Sequence, residues 1–242
     1  MGPSLTKATL YRKVWRLKEC LGYDKFGYGI DLISDLTRMK VNIEIIPFKT
    51  KGLRGMSVVG DESNCDIILL NSKRSYSEQN FDCGHETLHL NLHRHLNRKT
   101  FNCFDGPTAN QDPYLEWQAN EGAAEFLIPS YSFLPIVRNA IDFTTPQNEI
   151  ERFKADIAPK FNVPITVIGH RLDNLKYEIF QYIVSGSLSD LEFVSVSEQE
   201  KKGKYIRSLN TGKINMHGMK QTTTKEKTAL GGNPERFISP KR

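Results

Sequence analysis

The five residues HETLH at positions 85–89 restrict the fold of this chain more than any other feature. Histidines four positions apart share one face of an α-helix, about 5 to 6 Å between their Cβ atoms, so both imidazoles can reach one zinc ion at about 2.0 to 2.1 Å. Glu86 lies on an adjacent face, where its carboxylate can take a proton from a water molecule as a general base. The motif therefore predicts a hydrolytic metal site on a helix, with His85 and His89 as ligands.

A catalytic zinc site uses three protein ligands and keeps a fourth position for water, so the chain should supply one more ligand. The segment LEWQANEGAAEFLIP has the composition of a helix and offers Glu116, Glu121 and Glu125. Asn120 follows Glu116 by one turn. If Glu116 binds the metal, Asn120 could hydrogen-bond one of the ligands and orient it.

His93 and His95 are the other candidates for the third ligand. Ligands at positions i, i+4 and i+8 of a rigid helix would spread over about 12 Å, which is too far for one ion. We therefore expect His93 to close the end of the helix, where a hydrogen-bond donor or a cation suits the helix dipole.

The apolar pattern predicts an α+β fold. Three short segments rich in β-branched and apolar residues, Val41–Phe48, Met56–Val59 and Cys65–Leu70, indicate a small three-stranded antiparallel sheet. The segment NRKTFNCFDGPTANQDP is predicted to be a loop. Helical spacing is found over residues 7–22, 31–40, 81–95, 114–127 and 146–160 and in PITVIGHRLDNL.

Composition excludes several classes of protein. The hydrophobic share of 38% and the charged share of 25% are in the globular range, and no apolar run approaches the roughly 20 residues of a membrane span. The first residues, MGPSLTKATLYRK, lack the apolar core of a secretion signal. We therefore expect a cytoplasmic protein that does not contact a membrane.

The net charge of +5 is concentrated at the C-terminal end, where residues 198–242 hold 11 Lys/Arg against 4 Asp/Glu. Such a tail can contact nucleic acid, but the same composition also keeps a disordered segment in solution. We favour the second interpretation, a flexible basic tail over residues 197–242.

The four cysteines, Cys20, Cys65, Cys83 and Cys103, are widely spaced and include no C-x-x-C pair. This spacing is typical of buried free thiols in a reducing compartment rather than of a disulfide framework. Cys83 lies two residues before His85, and a buried thiol is favoured over a redox switch there.

Beyond these patterns, the sequence resembles the ImmA/IrrE metallopeptidases, bacterial and phage proteins that act on helix-turn-helix repressors. The matching segments are CDIILLN, QNFDCGHETLHLNLH and EWQANEGAAEFLIP, the last being similar to the family pattern E-x-x-A-N-x-x-A-x-x-L-x-x-P. Departures from the family include Leu88, where glycine is common, and Gly122, where a bulkier residue is frequent.

The resemblance implies a gluzincin-like site in which His85, His89 and Glu116 bind Zn²⁺ and Glu86 activates water for attack on a peptide carbonyl. Imidazole and carboxylate ligands also accept Mn²⁺, so the expected cofactor is Zn²⁺ with Mn²⁺ as the alternative. The domains are then expected as an N-terminal helix and connector (1–27), a mainly helical, zincin-like metallopeptidase core (28–140), a helical C-terminal region (141–196) and the tail (197–242).

Our leading hypothesis is a zinc-dependent endopeptidase that cuts a protein, namely a helix-turn-helix transcriptional repressor of a phage, mobile element or stress regulon. The alternative is a regulatory protein that uses the same fold to hold a repressor or DNA without cutting. A third hypothesis gives the active peptidase a toxin-like or defence role. Sequence chemistry does not distinguish the first from the third.

Overall fold

The computed structural model describes residues 5–38, 41–61, 64–96, 98–106 and 111–210. Within these ranges the chain forms, in order, α1 (Lys7–Cys20), α2 (Leu32–Arg38), β1 (Asn42–Ile46), β2 (Leu53–Val58), β3 (Ile67–Asn71), α3 (Tyr76–Leu92), β4 (Thr100–Phe104), α4 (Pro113–Leu127), α5 (Ser130–Ala140), α6 (Gln147–Phe161), α7 (Ile165–Asn174), α8 (Lys176–Ser185) and α9 (Val196–Lys201). None of these helices has the length and apolar character needed to span a bilayer.

Helix α3 carries the HETLH motif and forms the centre of the fold. Every residue from Gln79 to Leu90 is buried, because strands β2, β3 and β4 pack on one side of the helix and α4 on the other. The helix begins earlier than the apolar spacing predicts, since the Glu78 carboxylate accepts a hydrogen bond from the Ser75 N–H at 2.9 Å and caps the first turn. The motif is therefore held by neighbours on all sides.

The sheet has four strands in the order β1-β3-β2-β4 and is mixed. Strand β2 is antiparallel to β3 and β4, but β1 is parallel to β3. The prediction of three antiparallel strands is therefore wrong in number and in direction. Strand β4 was missed because its five residues lie between turn-forming segments, and β1 is parallel because it pairs with β3 rather than with β2, its neighbour in sequence.

Folded structure continues beyond residue 196, where the flexible tail was predicted to begin. Ser195 caps helix α9, with its N–H donating to the Glu198 carboxylate at 3.0 Å, and Leu209 is buried in the core. Residues 197–210 thus belong to the folded part, although their many lysines resemble those of a solvated tail. The remainder of the predicted tail, 211–242, lies outside the described residues.

A buried ionic cluster joins the C-terminal helices to the rest of the fold. We call it the Arg171 cluster, and it consists of Arg171, Tyr11, Glu121 and Glu125. The fully buried Arg171 guanidinium on α7 donates to Tyr11 Oη of α1 at 2.7 Å and to Glu121 Oε1 of α4 at 2.9 Å, and it also contacts Glu125. Three helices distant in sequence are therefore joined through one guanidinium.

Leu88 and Gly122, which depart from the family pattern, meet at the contact between α3 and α4. A Cβ atom on Gly122 would lie 3.0 Å from Cγ and Cδ1 of Leu88, closer than ordinary van der Waals contact. The small residue on α4 therefore makes room for the large residue on α3. Because His85 lies on one of these helices and Glu116 on the other, this contact also sets the spacing of the candidate ligands.

Replacing Gly122 with alanine is expected to lower the free energy of unfolding by about 1–3 kcal/mol through overpacking against Leu88, despite the better helix propensity of alanine. In the Leu88→Ala background the same change should cost much less, because the obstructing atoms are gone. Urea unfolding of the two single variants and the double variant measures this coupling. Gly106→Ala is the control, since nothing lies within 4 Å of a Cβ there, and additive losses would contradict the packing explanation.

Candidate metal centre

The side chains of His85, His89 and Glu116 converge between α3 and α4. The two Nε2 atoms are 3.0 Å apart, and the Glu116 carboxylate oxygens lie 3.4 Å from Nε2 of His85 and 3.5 Å from Nε2 of His89. A tetrahedral zinc ion at its usual bond lengths separates its ligand atoms by about 3.3–3.4 Å. The triangle of donor atoms therefore already has nearly the size that Zn²⁺ requires.

The far side of each histidine ring is hydrogen-bonded in a way that leaves Nε2 available. Nδ1 of His85 lies 3.0 Å from Asn120 Oδ1, which is the contact expected for Asn120 from its position one turn after Glu116. Nδ1 of His89 lies 2.9 Å from Nδ1 of His93. When each ring donates its Nδ1–H, both Nε2 lone pairs point toward the carboxylate, and this arrangement fits a cation.

His93 ends helix α3, as expected, but it also does more than close the helix. Its buried ring lies between His89 and Gln118 of α4, with its Nε2 3.4 Å from Gln118 Oε1. In the tautomer whose Nδ1 accepts a hydrogen bond from His89, His93 can donate its own Nε2–H to Gln118. His93 therefore orients a candidate ligand instead of serving as one.

Replacing His93 with alanine is expected to weaken Zn²⁺ binding by about 10-fold or more, since loss of a partner that orients a ligating histidine usually has an effect of this size. His95→Ala is a matched control because that histidine is exposed and close in sequence. Competition with a chromogenic chelator gives both dissociation constants. Equal affinities in the two variants would exclude an orienting role for His93.

The charges around the triangle also favour a cation. Burial lowers the pKa of His89 to about 4, so the ring is neutral at physiological pH, as a ligand must be. Burial opposes ionisation of Glu116, but hydrogen bonds with His85 and His89 lower its pKa to about 2. Burial also acts to lower the pKa of His85, but Cys103, Glu116 and Glu86 outweigh it and raise that pKa. A metal ion bound to Nε2 would take the place of the proton that these groups favour.

Glu86 lies beside the triangle and is fully buried between α3 and strand β2. Its Oε2 accepts a hydrogen bond from Ser57 Oγ at 2.6 Å, whereas Oε1 has no hydrogen-bond partner among the described residues. A Cβ atom on Gly55 would lie only 3.2 Å from Oε1, so a larger residue there would crowd the carboxylate. Burial raises the pKa of Glu86 to about 7, against the opposing effects of His85 and Ser57.

Strand β4 packs on α3 and brings the side chains of Phe101 and Cys103 to the site. The ring of Phe101 stacks on His89 with the centroids 4.7 Å apart and the planes 14° from parallel. Cys103 is two residues further on the same face of the strand, and its Sγ lies within 4.8 Å of donor atoms of His85 and Glu86. This contact was not predicted, because the sequence of residues 97–113 is typical of a loop.

The other predicted candidates lie elsewhere. Glu121 and Glu125 are bound to the guanidinium of Arg171 and are not part of the triangle, so of the three glutamates on α4 only Glu116 faces the histidines. Cys83 is buried and free, as predicted, whereas Cys20 and Cys65 are exposed, which corrects the expectation that all four thiols are buried.

A cavity of about 540 Å³ opens beside the triangle, with Glu116 and Asn120 in its wall. Its other walls come from the start of α3, the end of β4 and helix α7, including Phe104, Thr166 and His170. The cavity is large enough for several side chains of a peptide.

Comparison with known proteins places this geometry in a family. A family model described as the IrrE N-terminal-like domain matches residues 36–173, more than half of the chain. No curated protein matches. Among solved structures, a Mycobacterium tuberculosis transcriptional regulator is similar at 13% identity with a TM-score of 0.46; the match covers 70% of this chain and 47% of that protein, so this chain spans about half of its length. On the strength of the family match, the chain belongs to the IrrE N-terminal-like domain family.

Proposed function

We propose that the chain is a zinc-dependent endopeptidase. The observation that carries the proposal is the pairing of a zinc-sized triangle of His85, His89 and Glu116 with the buried carboxylate of Glu86 beside it. Three protein ligands and an adjacent general base are the elements that metal-assisted peptide hydrolysis requires. Membership of a peptidase-related family supports the same activity.

In this proposal His85, His89 and Glu116 hold Zn²⁺, with Mn²⁺ as the alternative ion. When bound, the ion would supply Lewis-acid chemistry, because it would polarise a peptide carbonyl and would lower the pKa of a water molecule toward about 7. Asn120 and His93 hold the two imidazoles in the tautomer that ligation needs. The chain thus fixes the geometry of the ligands before any substrate arrives.

Glu86 has the central chemical role. Its Oε1 takes a proton from the attacking water while Ser57 holds Oε2, so only one oxygen of the carboxylate changes its partner. The same oxygen then gives the proton to the nitrogen of the departing amine as the C–N bond breaks. Burial raises the pKa of Glu86, which makes its carboxylate a better proton acceptor than an exposed one.

We propose that the substrate is a helix-turn-helix transcriptional repressor of a phage, mobile element or stress regulon, met in the cytoplasm. The resemblance of the HETLH and EWQAN segments to repressor-directed peptidases supports this substrate class. The cavity beside Glu116 gives room for the side chains that flank a cut bond. Cleavage requires the bond to lie in a segment that can reach a buried carboxylate, so a linker or a locally unfolded part of the repressor is the expected site.

The experiment compares new protein N-termini in cells that express the wild-type chain, its Glu86→Gln variant or its His95→Ala variant. Protein abundance and metal content are matched across the three cultures. A terminus present with wild type and His95→Ala but absent with Glu86→Gln would support the proposal and identify the substrate. Identical termini in all three cultures, with binding of a repressor retained, would instead favour the regulator that does not cut.

A further inference from the structure

A second group of metal-binding side chains overlaps the first. The donor atoms of His85, Glu86 and Cys103 all lie within 4.8 Å of one another, and all three side chains are buried. Cys103 is a free thiol with only 2% of its surface exposed. Strand β4 holds Cys103 close to His85, because Cys103 pairs with Gly55 of β2 and Phe101 of the same strand stacks on His89.

The carboxylate in this group is available for a ligand. Glu86 is fully buried, and its Oε1 lacks a hydrogen-bond partner within the part of the chain that the structure describes. A buried oxygen without a partner is costly, so a cation or a water molecule should be stabilised next to it. The thiol sulfur of Cys103 lies within 4.8 Å of a carboxylate oxygen of Glu86 and of a ring nitrogen of His85, so the three donor atoms could bind one ion.

The chemistry of the two donor sets differs. The triangle of His85, His89 and Glu116 offers nitrogen and oxygen atoms only, whereas the second group adds sulfur, which binds soft metal ions preferentially. His85 belongs to both groups, and its Nδ1 is engaged by Asn120, so a single nitrogen remains for metal. An ion in one position therefore deprives the other position of a ligand.

We propose that His85, Glu86 and Cys103 form a second metal position that overlaps the first at His85 and prefers thiophilic divalent ions such as Cd²⁺. Binding there converts the Cys103 thiol to a thiolate, and its proton is released to the solvent. An ion in this position also occupies the carboxylate of Glu86. Inhibition of peptide hydrolysis by such ions follows. This inhibition and the overlap with the zinc position rest on the proposed function, whereas cadmium binding through Cys103 does not.

The test is a titration of the metal-free full-length chain with Cd²⁺, followed by the near-ultraviolet charge-transfer band of thiolate–cadmium bonds. All proteins carry Cys20→Ser and Cys65→Ser, because those two thiols are exposed and could bind cadmium on the surface. On this background we compare no further change, Cys103→Ser, Cys103→Ala, Cys83→Ser and His89→Ala. Circular dichroism checks that each variant is folded.

The band is expected in the unmodified background, in Cys83→Ser and in His89→Ala, and it should be lost in both Cys103 variants. His89→Ala is informative because it removes a ligand from the first position only. No band in the background protein, or the same band in Cys103→Ser, would overturn the proposal. Since the measurement uses no substrate, its failure is distinguishable from a failure of the peptidase function.

The overlap of the two positions has its own test. A chain loaded with one equivalent of Zn²⁺ is titrated with Cd²⁺ in the presence of a chromogenic zinc chelator. Growth of the thiolate band is expected to coincide with release of zinc, because both ions need His85. A full thiolate band with zinc still bound would show two independent positions and would overturn the shared role of His85.

Discussion

Replacing Glu86 with glutamine is expected to lower kcat by about 100-fold or more, the usual contribution of a general base, while Zn²⁺ still binds with unchanged stoichiometry. Glutamine has nearly the same shape and can still accept the hydrogen bond from Ser57, but it cannot take a proton from water. The measurement is the rate of cleavage of the substrate found in cells, together with the metal content of the purified variant.

The same substitution is expected to leave the stability of the fold unchanged or to raise it. Glu86 is a fully buried carboxylate whose pKa is raised to about 7 by burial, and a neutral amide avoids that cost. Lost activity with equal or higher stability separates a chemical role from a structural one. Undiminished cleavage by the Glu86→Gln protein would remove the basis of the proposed mechanism. The control is Ser57→Ala, which leaves the carboxylate in place and should lower kcat less than Glu86→Gln does.

Replacing Arg171 with methionine is expected to lower the free energy of unfolding by about 3–5 kcal/mol, because two buried glutamates would lose the cation that compensates them. Glu121 and Glu125 are almost without exposure, and burial already raises the pKa of Glu125 against the lowering effect of Arg171. Denaturant unfolding measures the loss. Methionine keeps most of the packing volume, so the loss reports charge rather than a cavity.

The control for this second prediction is an exposed ion pair. Lys202 lies 3.0 Å from Glu192 at the surface, and Lys202→Met should change stability little because water screens that pair. A triple variant that removes Arg171, Glu121 and Glu125 together, with apolar replacements, should recover much of the loss. If Arg171→Met were as stable as the wild type, the cluster could not be what joins α7 to α1 and α4.

The motif residues could be predicted from sequence because helix geometry alone decides their relation. A spacing of four residues puts His85 and His89 on one face, and the position of Asn120 relative to Glu116 follows from the same periodicity. The choice among Glu116, Glu121 and Glu125 did not follow from spacing. The family resemblance indicated Glu116, and the structure gives the physical reason, since Arg171, 46 residues beyond Glu125, binds the other two glutamates.

What was missed depends on contacts between distant segments. Strand β4 has only five residues, and its flanking glycine, proline and asparagine residues indicate a loop, so its pairing with β2 was not visible in the pattern. The contribution of Cys103 was missed for the same reason, because it reaches α3 from β4. Ser57 lies in a segment that was predicted as a strand, but its contact with Glu86 depends on how that strand packs on α3. The early start of the flexible tail was wrong because Leu209 is held by packing that composition does not reveal.

The complementary contact between Leu88 and Gly122 has a consequence for exchanging segments between relatives. A donor α3 with glycine at position 88 would leave a gap against Gly122. A donor α4 with a bulky residue at position 122 would collide with Leu88. Chimaeras that take only one of the two helices from a relative should therefore be less stable than the parent. Chimaeras that take α3 and α4 together should keep the parent's stability. The interchangeable unit of this protein is accordingly the helix pair and not the metal-binding motif alone.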